Sequence, residues 1–142
     1  MERAIQRFEG QVQLVFYPFA LNPTSEVATQ AAWCAGEQGK FWEFHYMLYR
    51  RQELWNRLAA PQERLNDFAK DLNLDTTALK SCVESGRMQD RMKADKAYGQ
   101  QLQVSSTPTM FINDYRIVGT QSEGELVRLI RQELNRVQPQ GQ

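Results

Sequence analysis

SSTPTMFIND, residues 105–114, is the stretch on which the reading of this chain turns. Pro108 stands between two threonines at the mouth of an apolar run. Proline has no N–H to give to a sheet ladder, so strands admit it at a first residue, an edge or a bulge. Pro108 therefore marks a strand entry, and TMFIN after it reads as the strand. Asn113 and Asp114 tolerate the positive φ of a tight turn, and YRIVG at 115–119 follows as a second short strand. Together they predict a β-hairpin. Downstream, residues 122–137 read as an amphipathic helix with Leu126, Leu129, Ile130, Leu134 and Val137 inward. The tail QPQGQ is expected to be disordered.

Upstream of the hairpin the period is helical. Residues 62–72 carry a stripe of Leu65, Phe68, Ala69 and Leu72. Asp75 or Thr76 caps a second helix that bears Leu79, Cys82 and Val83 and stops at Gly86. A third runs from about 87 to 102, its Arg91, Lys93, Asp95 and Lys96 expected on a solvated face. Earlier still, Asn22 and Pro23 form a turn, with Thr24 or Ser25 as cap of a helix whose face is Val27, Ala31 and Cys34 or Ala35. After Gly36 and Gly39, the aromatic stripe of Phe41, Phe44 and Leu48, with Trp42, His45 and Tyr49 beside it, reads as core rather than as a cofactor box. QVQLVFYPF, residues 11–19, is rich in β-formers and predicts a buried strand ended by Pro18. MERAIQRFEG before it resembles the last turns of a helix stopped at Gly10. Strands at both ends of a helical block imply α/β architecture.

Composition sets the outer bounds. A chain of 142 residues suits one domain, and 42% hydrophobic against 24% charged residues predicts a folded, soluble protein. Seventeen basic and seventeen acidic residues cancel, so nothing draws the chain to nucleic acid or an anionic membrane. No apolar run approaches the roughly 20 residues needed to span a bilayer. The charged N-terminus lacks the apolar core of a secretion signal. Two cysteines, Cys34 and Cys82, and one histidine, His45, are too few for a Cys/His zinc site. No metal and no cofactor is expected. Catalysis by one cysteine and one histidine stays open on residue count alone, although neither cysteine lies at an evident helix start and His45 reads as a packed structural side chain.

AAWCAGEQGKFWEFH, then LDTTALKSCVESGRMQDRMKADKAYGQQLQVSSTPTMFIND, then RIVG closely resemble the DsbA-like thiol–disulfide oxidoreductases. These are thioredoxin-fold proteins with a helical insertion. The resemblance runs from about Gly10 to Leu134. It implies one domain over 1–137 with an insertion over about 22–103. It also implies a cis Pro108, with Thr107 offering its backbone to an extended protein or peptide substrate by strand addition. The family's chemistry needs a C-x-x-C at a helix N-terminus, where the helix dipole favours the thiolate. That motif should precede GQVQLVF, and no cysteine stands there. The resemblance thus implies a chain lacking the first strand and most of the first helix, by N-terminal truncation, or else a redox-inactive relative.

Two consequences follow from the resemblance. The missing strand is central in the family, so its two neighbours face a slot of about 10 Å, twice the strand spacing of about 4.8 Å. An isolated chain is therefore expected to be unstable or to self-associate through that gap. In some relatives, cysteines at matching places form a structural disulfide, so Cys34 and Cys82 are candidates for one. A loop of that length is stabilised by roughly 4 kcal/mol in the chain-entropy model. Two buried free thiols remain the alternative. Oxidoreductase ancestry suggests an extracytoplasmic or periplasmic site, although this chain shows no signal peptide. A non-catalytic peptide-binding or interaction module is the competing function, and a glutathione-transferase-like arrangement is a weaker third.

Overall fold

The computed structural model describes residues 1–137. The C-terminal QPQGQ, expected to be disordered, lies outside the described residues. The chain divides into two compact units, one of Met1–Phe16 with the residues from Gln100 onward, the other Tyr17–Gly99.

The Tyr17–Gly99 unit is helical. After the first helix of the chain, α1 (Glu2–Gln6), which belongs to the other unit, it holds α2 (Pro23–Glu37), α3 (Phe41–Arg50), a 3-10 turn at Gln52–Leu54, α4 (Gln62–Asp71), α5 (Thr76–Glu84) and most of α6 (Gln89–Gln101). Asn22, rather than Thr24 or Ser25, caps α2. Its side chain accepts from the Ser25 N–H at 2.9 Å, while the Ser25 hydroxyl receives the Asn22 N–H. Pro23 occupies the first turn, where its missing N–H costs nothing, and this shifts the cap one residue upstream of it. Asp75 caps α5, its Oδ1 accepting from Thr77 and Ala78 at 2.9 Å.

Ala28, Ala31, Ala32 and Ala35 give α2 a small-residue face, which lets its neighbours pack closely. Phe44 and Leu48 of α3, Leu65, Phe68 and Ala69 of α4, and Leu79 of α5 fill the core around it. A Cβ on Gly36 would sit 3.2 Å from the Phe41 Cβ, so a larger residue at the α2–α3 junction would press on Phe41. Trp55 is buried with its indole N–H donating to the Leu48 carbonyl at 2.9 Å. The aromatic stripe is core only in part: Phe44 is fully buried, whereas Tyr49 is 62% exposed.

The other unit contains α1 (Glu2–Gln6), the hairpin strands β1 (Thr109–Ile112) and β2 (Tyr115–Val118), and α7 (Glu123–Val137). Ala4 and Phe8 pack against Leu126, Val127 and Ile130, with Val12, Met110, Ile112 and Leu134 at the margin. Val137, expected inward, is half exposed at the end of α7. Arg3 and Arg7 both pair with Glu123, at 3.2 and 2.9 Å, which ties α1 to the first turn of α7. The hairpin forms as expected, with Ile112 opposite Tyr115 and Asn113 at φ 52° in the turn.

One predicted strand does not form. Residues 11–19 belong to no ladder, and the sheet contains β1 and β2 alone among the described residues. The Gln11 and Val12 N–H groups both donate to the Phe8 carbonyl, and Gly10, at φ 77°, turns the chain out of α1. Beyond that turn Gln11, Gln13 and Val15 are exposed while Val12, Leu14 and Phe16 are half-buried. The period of two is that of a strand, but a ladder needs a neighbour, and no strand among the described residues pairs with it.

Candidate functional site

The Thr107–Pro108 peptide bond is cis. The Gly119 N–H donates to the Pro108 carbonyl at 2.8 Å, which extends the hairpin pairing by one rung beyond Thr109 and Val118. In an antiparallel ladder, hydrogen-bonded and non-bonded pairs alternate. Pro108, Met110 and Ile112 therefore direct their backbone groups to β2, and Thr109 and Phe111 direct theirs away from it. No described strand covers that outer edge. Thr107 and Pro108 are exposed at its start, and Phe111 is 40% exposed along it. Thr109 Oγ1 donates to the Ser106 carbonyl at 2.7 Å and fixes the bend into the strand. The Arg116 guanidinium donates to the Gln103 carbonyl at 2.6 Å and anchors the approach to that bend.

Cys34 of α2 and Cys82 of α5 are joined in a disulfide, with 5.9 Å between their Cα atoms and 48 positions between them in sequence. Both residues are 1% exposed, and the sulfurs lie within the helical core. An attacking thiolate must reach a disulfide sulfur to exchange with it, and both residues of this bond are buried. The two functional features expected from sequence lie in different units: Thr107 and Pro108 on the hairpin, Cys34 and Cys82 among the helices.

The helical unit also presents an aromatic cluster. Trp33 stacks on Phe41 with ring centres 4.7 Å apart, and the Arg91 guanidinium carbon lies 3.4 Å from the Trp33 ring centre. His45 is in ring contact with Phe41 at 5.7 Å and Tyr49 at 4.9 Å, and burial holds its imidazole pKa below the usual value. Neutral imidazole is therefore the form this packing favours. The expected solvated face of α6 is only half so. Lys93 is exposed, but Asp95 and Lys96 are half-buried, and Lys96 donates to the Ala20 carbonyl at 3.3 Å. Burial raises the Asp95 carboxyl pKa against the opposing pull of Arg91. Helical periodicity alone could not reveal the burial of Lys96, because its partner, Ala20, is remote in sequence. No cluster of His, Cys, Asp and Glu suited to a metal ion occurs among the described residues.

A family model described as thioredoxin matches residues 2–132. The chain belongs to the thioredoxin family. Its mostly helical body and small two-stranded sheet are a thioredoxin-like α/β fold with a helical insertion. Among curated proteins it is 35% identical over 101 residues to Na(+)/H(+) antiporter NhaA 1 of Salinispora arenicola, a match covering 70% of this chain and 15% of that protein. It is 32% identical over 96 residues to Na(+)/H(+) antiporter NhaA 3 of Salinispora tropica, covering 68% and 14%. The Na(+)/H(+) antiporter NhaA of Herminiimonas arsenicoxydans is 27% identical over 99 residues, covering 70% and 15%. The match thus spans about 15% of the length of these relatives. No solved structure gives a significant match. No helix among the described residues is long and apolar enough to cross a membrane.

Proposed function

We propose that this chain is the polypeptide-docking part of a DsbA-like thiol–disulfide oxidoreductase scaffold, without redox turnover of its own. The observation that carries the reading is the open edge of β1. Its Thr109 and Phe111 backbone groups point outward next to the exposed Thr107 and Pro108. An extended peptide can lie along such an edge as an added strand. Main-chain hydrogen bonds then supply affinity, and side chains such as Phe111 supply contact. The absence of turnover follows from sulfur chemistry. The sequence holds no C-x-x-C, and its two cysteines are bonded to each other in a buried place. Thr107 is the residue that offers its backbone to the substrate, and Pro108 sets the bend that exposes it.

The antiporter relatives favour a module reading of the same site. A stretch shared over some 15% of a much larger protein suits an attached interaction module rather than a free-standing enzyme. Docking of an extended partner serves either setting.

The test is titration of a fluorescent, unstructured, cysteine-containing peptide. Phe111→Pro removes one outward N–H and leaves the ladder to β2 intact, since proline is tolerated where its nitrogen faces away from the sheet. The expected result is binding weakened about tenfold, the loss of one hydrogen bond of about 1.4 kcal/mol. Phe111→Leu should bind nearly as the native chain does. Equal binding by all three forms would overturn edge docking. Dithiol oxidation catalysed by the native chain, whether or not it survives replacement of both cysteines by serine, would overturn the chemical part.

A further inference from the structure

Two buried oxygens of the helical unit lack a hydrogen-bond donor. Gln30 of α2 is 7% exposed, the one polar residue buried among the described residues, and its Oε1 has no partner there. Asp95 of α6 is half-buried, and its Oδ2 is likewise enclosed without one. Such acceptors are ordinarily paired, because an unmade bond leaves the group's desolvation uncompensated. The contacts of α6 place the two on one seam. Lys96 donates to the Ala20 carbonyl just before α2, and the Arg91 guanidinium lies on the Trp33 ring near the far end of α2. Beyond Lys96, a Cβ on Gly99 would meet the Phe19 ring at 3.0 Å. The two segments therefore run past each other in opposite directions. Gln30 falls between Ala20 and Trp33 on one side of the seam, a turn before Trp33. Asp95 falls between Lys96 and Arg91 on the other, a turn after Arg91.

We infer that Asp95 is an acid-operated clasp: a proton taken from solvent rests on Oδ2, and the resulting hydroxyl donates to Gln30 Oε1 and fastens α6 to α2. An ionised carboxylate cannot make this bond, since both oxygens are then acceptors, whereas the acid can. The charges around Asp95 offer no substitute. α2 has no cation, and its acids are Glu26 and Glu37, the second paired with Arg87. Residues 17–22 carry no charge. On α6, Lys93 pairs with Asp90, Lys96 is turned to Ala20, and Arg91 is laid on Trp33. Burial accordingly outweighs the pull of Arg91 and raises the Asp95 pKa above its ordinary 3.8. As the pH falls, the folded chain takes up this proton before the unfolded chain does. The clasp is therefore open at neutral pH. Its contribution to stability grows as the pH falls through the folded value and levels off below the unfolded one. The inference concerns the helical unit alone, and it and peptide docking at β1 can each fail without the other.

Carbon-detected NMR titration of the Asp95 carboxyl group in the full chain tests it, with the Gln30 side-chain amide followed in the same spectra. Asp95 should titrate above 3.8, and the Gln30 amide should shift with the same midpoint. Gln30→Met keeps the bulk and removes the acceptor, and should lower the proton affinity of Asp95 about tenfold. Asp95→Asn sets a permanent donor at the same place. In urea denaturation its unfolding constant should be about tenfold below that of the native chain at neutral pH, and the gap should close as the pH falls toward 3.8. An Asp95 midpoint at or below 3.8 overturns the inference, because a water or the Gln30 amide N–H would then be serving the ionised carboxylate. A raised midpoint that Gln30→Met leaves in place also overturns it, since burial alone would then hold the proton. So does an Asp95→Asn chain no more stable than the native one at neutral pH.

Discussion

The helical unit and the hairpin unit solve the same problem in opposite ways. In the helices every backbone ladder closes within its own element, and a covalent bond between α2 and α5 holds the core together. In the other unit two strands pair with each other, while the outer edge of β1 and the backbones of Gln13, Leu14 and Val15 stay open among the described residues. A helix satisfies its own backbone; a strand cannot. The difference teaches that stability in this chain is concentrated where bonds are local, and recognition where they are left to another molecule.

The largest test of that contrast is the disulfide. Replacing both Cys34 and Cys82 by alanine should lower the unfolding free energy by about 4 kcal/mol, read by urea denaturation followed by circular dichroism. A loss below about 1 kcal/mol would mean that the helical core does not lean on the bond. Next comes a matched pair of truncations. Leu65→Ala, at a site 2% exposed, should cost about 3 kcal/mol. Leu14→Ala, half-buried on the unpaired segment, should cost about 1 kcal/mol or less. Equal costs would erase the distinction between the two regions.

Smaller effects sharpen it. Asp75→Ala leaves the Thr77 and Ala78 N–H groups without their shared acceptor and should cost about 1 kcal/mol. The smallest is a pH response at His45. Its folded pKa is lowered by burial, so the unfolded chain takes up a proton first as the pH falls. Stability from this group is complete above the unfolded value of about 6.5 and declines below it, levelling once the pH passes the lowered folded value. Thermal melts between neutral and mildly acidic pH should show a steeper decline for the native chain than for His45→Gln.

What could be read from sequence follows the same divide. Asp75 as a cap, Asn113 and Asp114 as a turn, and the stripes of α4 and α7 are signals carried within one element, and they were legible. The α2 cap lies at Asn22 because Pro23, immediately before the expected caps, already fills the first turn. Residues 11–19 form no strand: QVQLVFY has the composition of one, but strand identity is conferred by a neighbour. Lys96 reads as solvent-facing from sequence because the group it meets, the Ala20 carbonyl, lies far earlier in the chain. Of the candidate site, Thr107 and Pro108 were legible from the break in pattern at the strand entry. The direction of each backbone group along β1 needed the hairpin register.

Amide hydrogen exchange on dilute chain, under conditions where sedimentation shows one copy, tests the central contrast most directly. The account expects Gln13, Leu14 and Val15 to exchange almost as fast as an unfolded peptide, while Phe68 and Ala69 of the disulfide-linked core are strongly protected. Protection at Gln13, Leu14 and Val15 equal to that at Phe68 and Ala69 would contradict it, because their backbone would then already have a partner within the single chain.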